Sequence, residues 1–336
     1  MADLMDCFKP EDRPLTAAEA RERFAAGLAP INRLETVPLR EALGRILARD
    51  LTATNQIPPY DNSAVDGFTV YFDDLESNGE TRLTVTGRIA AGHPLERPAR
   101  PGEALEIFTG APVPTGPDTV FMVEDCTREG DQVVLPPGIK RGANFRHAGE
   151  DVGAGDKVLS RGLRLRPQDV GMAASLGLAE VEVFARLKVA VFSTGDEIRD
   201  PETSGQAPEG CIFDVNRYSV MGLLERLGCE VTDLGIFEDS PGPLSVSLSQ
   251  AAGSYDLLIT SGGVSMGAED HVRNVVEELG GVSFWKLAIK PGRPIALGSI
   301  GQAPDQTPFV GLPGNPVAAM VTFLGIARPI ILLLSG

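Results

Sequence analysis

Four cysteines in 336 residues (Cys7, Cys126, Cys211 and Cys229) form no C-x-x-C pair and keep no regular spacing. That scarcity excludes a disulfide-built scaffold and fits reduced thiols in a cytosolic protein. Histidine is scarcer still, with His93, His147 and His271 alone, so a zinc centre of the His/Cys kind is not expected. Long hydrophobic runs are missing too. The longest strongly apolar stretch, Ile330–Leu334, falls far short of the roughly 20 residues that cross a bilayer, so no membrane span is expected. The N-terminus, with Asp3, Asp6 and Lys9, shows no apolar segment of a signal peptide. Positive charge is in deficit. Thirty Lys and Arg against 46 Asp and Glu leave −16, which opposes nucleic acid and anionic membrane surfaces while permitting a small anion in a locally basic pocket.

Glycine and proline are abundant, at 38 and 26 residues, so many turns and special backbone positions are required. Apolar residues at 43% and charged ones at 23% describe an ordinary globular chain, long enough for two or three domains. Thr16-Ala17-Ala18-Glu19 reads as a capping box opening a helix that continues through Ala20–Leu28. A second helix is expected over about Leu39–Ala48. From Leu51 to about Arg146, short strands at 83–86, 105–108, 119–123 and 132–135 alternate with Gly/Pro turns and predict a small, mostly β domain. Lys157–Arg166 is strand-rich, and Pro167–Leu176 reads as a short helix. After Arg186, strands at 188–193, 230–237, 256–260, 282–289, 295–297 and 309–312 alternate with helices at 216–227, 243–252 and 270–279. A last helix starts near Pro316. That alternation predicts an α/β domain with a parallel sheet covered on both faces, in addition to the β-rich part.

In such a sheet, ligands bind at the carboxyl ends of the strands. Three of these ends run into unusual turns: Ser193-Thr194-Gly195-Asp196-Glu197, Thr260-Ser261-Gly262-Gly263-Val264-Ser265 and Leu312-Pro313-Gly314-Asn315-Pro316. One glycine turn merely turns a corner; three on one edge point to a phosphate, because glycines let backbone N–H groups approach an anion and a helix N-terminus favours it. Glu197, Asp239 and Asp270 fall where strands end or helices begin, and Asp256 lies near another strand end. Isolated acids are usually solvated surface, but several beside a phosphate cradle suit Mg2+. Lys286, Lys290 and Arg293 cluster in W-K-L-A-I-K-P-G-R-P; the alternatives are a guarded edge strand and an oxyanion site. Pro58–Phe68, Phe108–Pro114 and Arg146–Asp151 are polar loops of the β part, readable as turn clusters. No nucleophile–histidine pair emerges, and His147 and His271 read as structural or surface residues.

Taken in order, PPYDNSAVDGF, RIAAGHP, IFTGAPVPTGPDTV, FRHAGEDV, FSTGDEI, DVNRYSV, LITSGGVSMGAEDHV, FWKLAIKPGRPIALG and GLPGNPVAAMVTF resemble the molybdopterin molybdenumtransferase family, known as MoeA in bacteria and as the E-domain of gephyrin. The match runs over about residues 35–325. The resemblance implies insertion of molybdate into adenylylated, Mg2+-bound molybdopterin, with release of AMP. It implies catalytic roles for Asp66, Thr109, Glu197, Asp239 and Asp270, with Glu197, Asp239 and Asp270 as metal ligands. It also implies molybdopterin contacts from Thr194, Gly195, Asp196, Ser261, Gly262, Gly263, Ser265, Pro313, Gly314 and Asn315. Lys286, Lys290 and Arg293 match the stretch that binds oxyanions such as molybdate, and Arg146 and Asp151 match a supporting segment. The expected domains are a discontinuous linker and dimerisation domain (1–50 and 146–185), a β domain (51–145) and a molybdopterin-binding domain (186–336). A homodimer in the cytoplasm is implied, with molybdopterin adenylyltransferase and cofactor-accepting enzymes as partners. The family's further C-terminal β domain finds no counterpart. A molybdopterin-binding carrier or scaffold, and a molybdopterin adenylyltransferase, therefore stand as alternative expectations.

Overall fold

The computed structural model describes residues 13–263, 271–288, 290, 291, 294–302 and 305–336, apart from the side chains at 284–286 and 294. Two compact units result: one holds the residues up to Arg49 with Arg161–Arg166 and Glu180–Gly336, the other Asp50–Ser160 and Pro167–Ala179.

Helix α1 (Ala17–Gly27) starts from the expected capping box: Thr16 Oγ1 accepts from Glu19 N at 3.3 Å and the Glu19 carboxylate accepts from Thr16 N at 2.8 Å. The helix expected over 39–48 does not form. Only a 3₁₀ turn at Leu39–Glu41 appears, and Ile46 and Leu47 instead make β-bridges with Arg164 and Val183. Gly44 supplies the reason. Its φ of +76° is a left-handed turn that interrupts a helix and swings the chain into an extended path. Strand β1 (Leu34–Pro38) pairs antiparallel with β12 (Glu180–Phe184).

In the second unit, β2 (Leu51–Thr52) pairs with β11 (Lys157–Leu159), and β3 (Asn62–Ser63) with β10 (Phe145–Arg146). A six-stranded sheet, in the order β7–β4–β6–β5–β9–β8, is built from β4 (Gly67–Val70), β5 (Thr81–Ile89), β6 (Glu103–Ile107), β7 (Thr119–Met122), β8 (Thr127–Glu129) and β9 (Gln132–Leu135). Alternation along its strands fills two apolar layers. Ala104 and Phe121 pack with Phe68 and Leu83, whereas Leu105 and Val120 pack with Ile89 and Ile107. Helix α2 (Pro167–Ser175) belongs to the same unit.

The first unit carries a second six-stranded sheet, in the order β16–β13–β17–β20–β19–β18. Its strands are β13 (Lys188–Thr194), β16 (Glu230–Phe237), β17 (Leu257–Ser261), β18 (Gly280–Lys286), β19 (Pro294–Ile300) and β20 (Thr307–Leu312). Four strands are parallel as expected; β19 alone is reversed, running antiparallel to both of its neighbours, β20 and β18. The reason is local: β18 and β19 are joined by a short connection, which only antiparallel neighbours permit.

The near-continuous apolar strands face helices on both sides. Val189, Val191, Leu257 and Ile259 pack against α1, α3 (Asn216–Leu227) and α6 (Pro316–Leu334). Ala190, Phe192 and Leu258 pack against α4 (Pro241–Ala252) and α5 (His271–Leu279). Gly228, at φ +89°, ends α3 where the sequence places the stop.

Helix α6 corrects the expectation that no stretch reaches bilayer length: it is 19 residues long, and an 18-residue window within it has a mean hydropathy of 2.2. Its packing explains the composition. Ala319, Phe323, Ile326, Ile330 and Leu334 at 3–4-residue spacing enter the core under the sheet. Residues Phe323–Ala327 are π-helical, just ahead of Pro329, which has no N–H to return to the preceding turn.

Candidate active site

The carboxyl edge of the first unit's sheet opens into a cavity of about 350 Å3. Of the residues expected there, Thr194, Gly195, Glu197, Asp239, Ser261, Gly262, Gly263 and Gly314 line it. Parallel strands bring them together because each of β13, β16, β17 and β20 ends on the same edge. Three more expected residues frame it. The Pro313 carbonyl accepts from Ser261 Oγ at 3.0 Å, and Asn315 Oδ1 accepts from Ala318 N at 3.1 Å, capping α6 with Pro316 in its first turn. Asp196 is exposed beside the cavity, its carbonyl accepting from Arg199 Nη1 at 2.7 Å.

Gly263 cannot be another residue here. Its φ is +64°, and a Cβ would sit 2.4 Å from Thr194 Oγ1 and 2.7 Å from Val272 Cγ2. The hydroxyls of Ser193 and Thr194, both 2% exposed, have no hydrogen-bond partner among the described residues. Buried hydroxyls are nearly always paired. Two unpaired ones lining a cavity mark a place for a polar ligand.

The remaining expected residues divide. Ser265, Asp270 and Arg293 lie outside the described residues, as does the side chain of Lys286; Lys290 is exposed in the β18–β19 connection. Asp256 belongs elsewhere, because it precedes β17 and so stands at the opposite, amino edge. There it accepts from Arg33 Nη1 and Nη2 at 2.7 and 2.6 Å and from Lys188 N at 2.8 Å. Among the described residues, no three His, Cys, Asp or Glu side chains converge as a metal cage. Of the three expected metal-binding carboxylates, the two that are described, Glu197 and Asp239, both line the cavity.

In the second unit, the three polar loops that the sequence leaves separate are stitched together. Ser63 N donates to Ala111 O at 3.1 Å, Gly110 N to Ser63 O at 2.8 Å, Ala64 N to Asn144 O at 3.0 Å and Gly149 N to Pro58 O at 2.9 Å. Asp66 Oδ1 accepts from both the backbone N and the hydroxyl of Thr109, at 2.7 Å each. The two donors, the backbone one first, hold its carboxyl below the usual range. Arg146 donates through Nε to Glu150 and through Nη2 to Asp151 Oδ2 at 2.7 Å.

Sequence reasoning missed the segment that floors the cavity. Asp214, Val215 and Asn216 line it, with Ile212 and Phe213 of β15 (Ile212–Phe213), which pairs in parallel with β14 (Ile198–Arg199). The next residue, Arg217, is 1% exposed and bound by three carboxylates. Nε donates to Asp214 Oδ2 at 3.0 Å, Nη2 to Asp200 Oδ2 at 2.5 Å and Nη1 to Asp233. Burial opposes its charge, but the hydrogen bonds to Asp233, Asp200 and Asp214 outweigh it and raise the guanidinium pKa. Tyr218 donates to Asp200 Oδ1 at 3.0 Å, and desolvation together with that carboxylate pushes its phenol up to about 12. An arginine flanked by aspartates at a strand–helix junction is the available signal, yet Asp200 and Asp233 are too distant in sequence to be assigned to it.

Fold and cavity together define a three-layer, mainly parallel α/β ligand-binding domain accompanied by a β-rich unit. The chain matches two family models, the MoeA N-terminal region (domains I and II) over residues 15–177 and a probable molybdopterin binding domain over 190–332. It is 42% identical over 326 residues to the molybdopterin molybdenumtransferase of Haemophilus influenzae, covering 96% of this chain and 78% of the relative. The Nostoc molybdopterin molybdenumtransferase is 36% identical over 306 residues, covering 90% of this chain and 70% of the relative. The solved MoeA protein of Pyrococcus horikoshii superposes with a TM-score of 0.82 at 29% identity, covering 96% of this chain and 80% of that one. The chain belongs to the MoeA family of molybdopterin molybdenumtransferases.

Proposed function

We propose that this protein inserts molybdate into adenylylated molybdopterin, with Mg2+-dependent release of AMP. The observation that carries the reading is the cavity at the sheet's carboxyl edge. Unpaired Ser193 and Thr194 hydroxyls, the glycine turns and the start of α6 stand ready for phosphate oxygens, with Glu197 and Asp239 beside them. Those two carboxylates fit Mg2+, a hard ion that takes a few carboxylates and completes its shell with phosphate oxygens and water. When bound, the ion neutralises charge on the phosphoanhydride. The chain's own part is to seat and orient: the hydroxyls and the capped helix start hold the phosphates, and the rigid turns fix the scissile bond in place. Lys290 contributes positive charge for the incoming oxyanion. The family resemblance adds a homodimer to this reading, and the four cysteines, with no C-x-x-C pair or regular spacing, are in keeping with a cytoplasmic protein.

The test supplies adenylylated molybdopterin, Mg2+ and molybdate and follows AMP by chromatography. Release that requires molybdate and is lost in Glu197→Ala is the expected result. No release above the Glu197→Ala background overturns the catalytic reading, and tight pterin binding without turnover favours a carrier. ATP consumption with plain molybdopterin instead points to adenylyl transfer.

A further inference from the structure

The Asn216 side chain reaches both glycine turns flanking the cavity. Its Nδ2 donates to Ser261 Oγ at 2.8 Å and to the Gly314 carbonyl at 2.7 Å. Ser261 Oγ passes its own proton on to the Pro313 carbonyl at 3.0 Å. Both protons of one amide are thereby spent on two different strand–helix connections, the one after β17 and the one after β20. An acceptor-only carboxylate cannot do this, since the Gly314 carbonyl has nothing to donate.

The amide itself is held from behind. Arg217 N donates to Asp214 Oδ1 at 3.1 Å at the start of α3, and the Arg217 side chain ties that start to Asp200 and to Asp233 of β16. Around the guanidinium, one cation meets three carboxylates drawn from a loop, the helix start and the edge strand. Such a buried charge has one low-energy placement, so it transmits rigidity to its neighbour in the chain. The Ser261 Oγ–Pro313 bond and the Gly262 N–H to Leu312 carbonyl bond, at 3.2 Å, are further direct links between the two connections.

We infer that Asn216, anchored by Arg217, is a positioning residue that sets the gap between the Ser261–Gly263 and Pro313–Gly314 turns and so preforms the anion cradle. The inference rests on the proposed function for the identity of the ligand, not for the geometry. A tie that shapes the cradle acts on ground state and transition state alike, so its loss raises KM and leaves kcat nearly unchanged. A merely structural role lowers the amount of folded protein without that split.

The experiment compares wild type with Asn216→Ala, Asn216→Asp and Ser261→Ala by amide hydrogen exchange and by calorimetric titration with AMP as probe. Expected in Asn216→Ala is exchange at Gly262 and Gly314 faster by about tenfold or more, with Asp200–Asp214 unchanged. AMP affinity and KM are expected to worsen by about tenfold while kcat stays within about threefold, a scale set by the loss of one or two hydrogen bonds. Asn216→Asp is expected to be at least as impaired despite its identical size, and Ser261→Ala to show a smaller change. Unaltered exchange at both glycines in folded Asn216→Ala overturns the inference. So does equal loss across the Arg217 cluster, which marks general unfolding, or a fall in kcat at constant KM. Faster exchange at both turns with no AMP binding even by wild type upholds the positioning role and sinks the ligand reading alone.

Discussion

Thr109 gives two hydrogen bonds to one oxygen of Asp66, both 2.7 Å long, one from its backbone and one from its hydroxyl. The pair joins the P-P-Y-D-N-S-A-V-D-G loop to the F-T-G-A-P loop, and it keeps the Asp66 carboxyl ionised well into acid. Thr109→Val deletes one donor and keeps the other. The Asp66 pKa should then rise toward the ordinary carboxylate value of about 3.9, without reaching it. The folded-state pKa is depressed, so its stabilisation is present above the unfolded value and disappears as pH falls through the folded one. Wild type should therefore exceed the variant in stability at neutral pH and converge with it in strong acid. An NMR titration of the Asp66 carboxyl carbon, with urea melts at several pH values, decides this; an unmoved Asp66 titration contradicts it.

Arg217→Met leaves three aspartates around a buried, neutral side chain. Removing one partner of a buried ion cluster typically costs about 3–5 kcal/mol. Because Asp200 and Asp233 are 23% and 38% exposed, the lower end of that range is expected. Urea denaturation at pH 7 measures it. A loss below about 1 kcal/mol means that the cluster is dispensable for the fold.

Gly263→Ala must place a Cβ 2.4 Å from Thr194 Oγ1 at a φ of +64°. The left-handed conformation alone costs about 1–2 kcal/mol, and the displaced hydroxyl should weaken AMP binding by about tenfold or more, the effect of losing a hydrogen bond to a charged group. Gly79→Ala is the control, since a Cβ there meets nothing within 4 Å. It should stay within about 0.5 kcal/mol of wild type. Equal behaviour of the two variants in thermal melts and AMP titrations removes the special role given to Gly263.

Chelation by EDTA should abolish molybdate-dependent AMP release, and added Mg2+ should restore it. Asp239→Asn should raise the Mg2+ concentration needed for half-maximal release by about tenfold, as expected when a hard ion loses one of few carboxylates. Full activity in EDTA refutes the role given to the ion.

Much of this architecture is legible along the chain because its causes are local. Strand 188–194 carries a continuous apolar run at 189–192, α3 stops at Gly228, and the capping box of Thr16 and Glu19 needs only four residues to specify itself. The glycine turns after β13, β17 and β20 follow from the same logic, since strand–helix alternation alone sends parallel strand ends to one edge. Local propensity fails at 39–48, where good helix formers surround Gly44 but the cross-chain bridges to Arg164 and Val183 prevail. Helix α6 forms where the sequence starts it, near Pro316, but its apolar length suits a bilayer as well as a core.

The amino-acid order by itself determined most element types, the sheet edge that carries the cavity and the acids and glycines found there, because periodicity, capping and turn chemistry act over a few residues. Only the folded chain decided that Asp256 stands on the far edge with Arg33, that Asp66 belongs to Thr109, and that Arg217 holds Asp200, Asp214 and Asp233 while Asn216 ties two turns together. Those pairings join residues up to 223 positions apart. Their partners are chosen by sheet order and close packing, which no short stretch of sequence encodes.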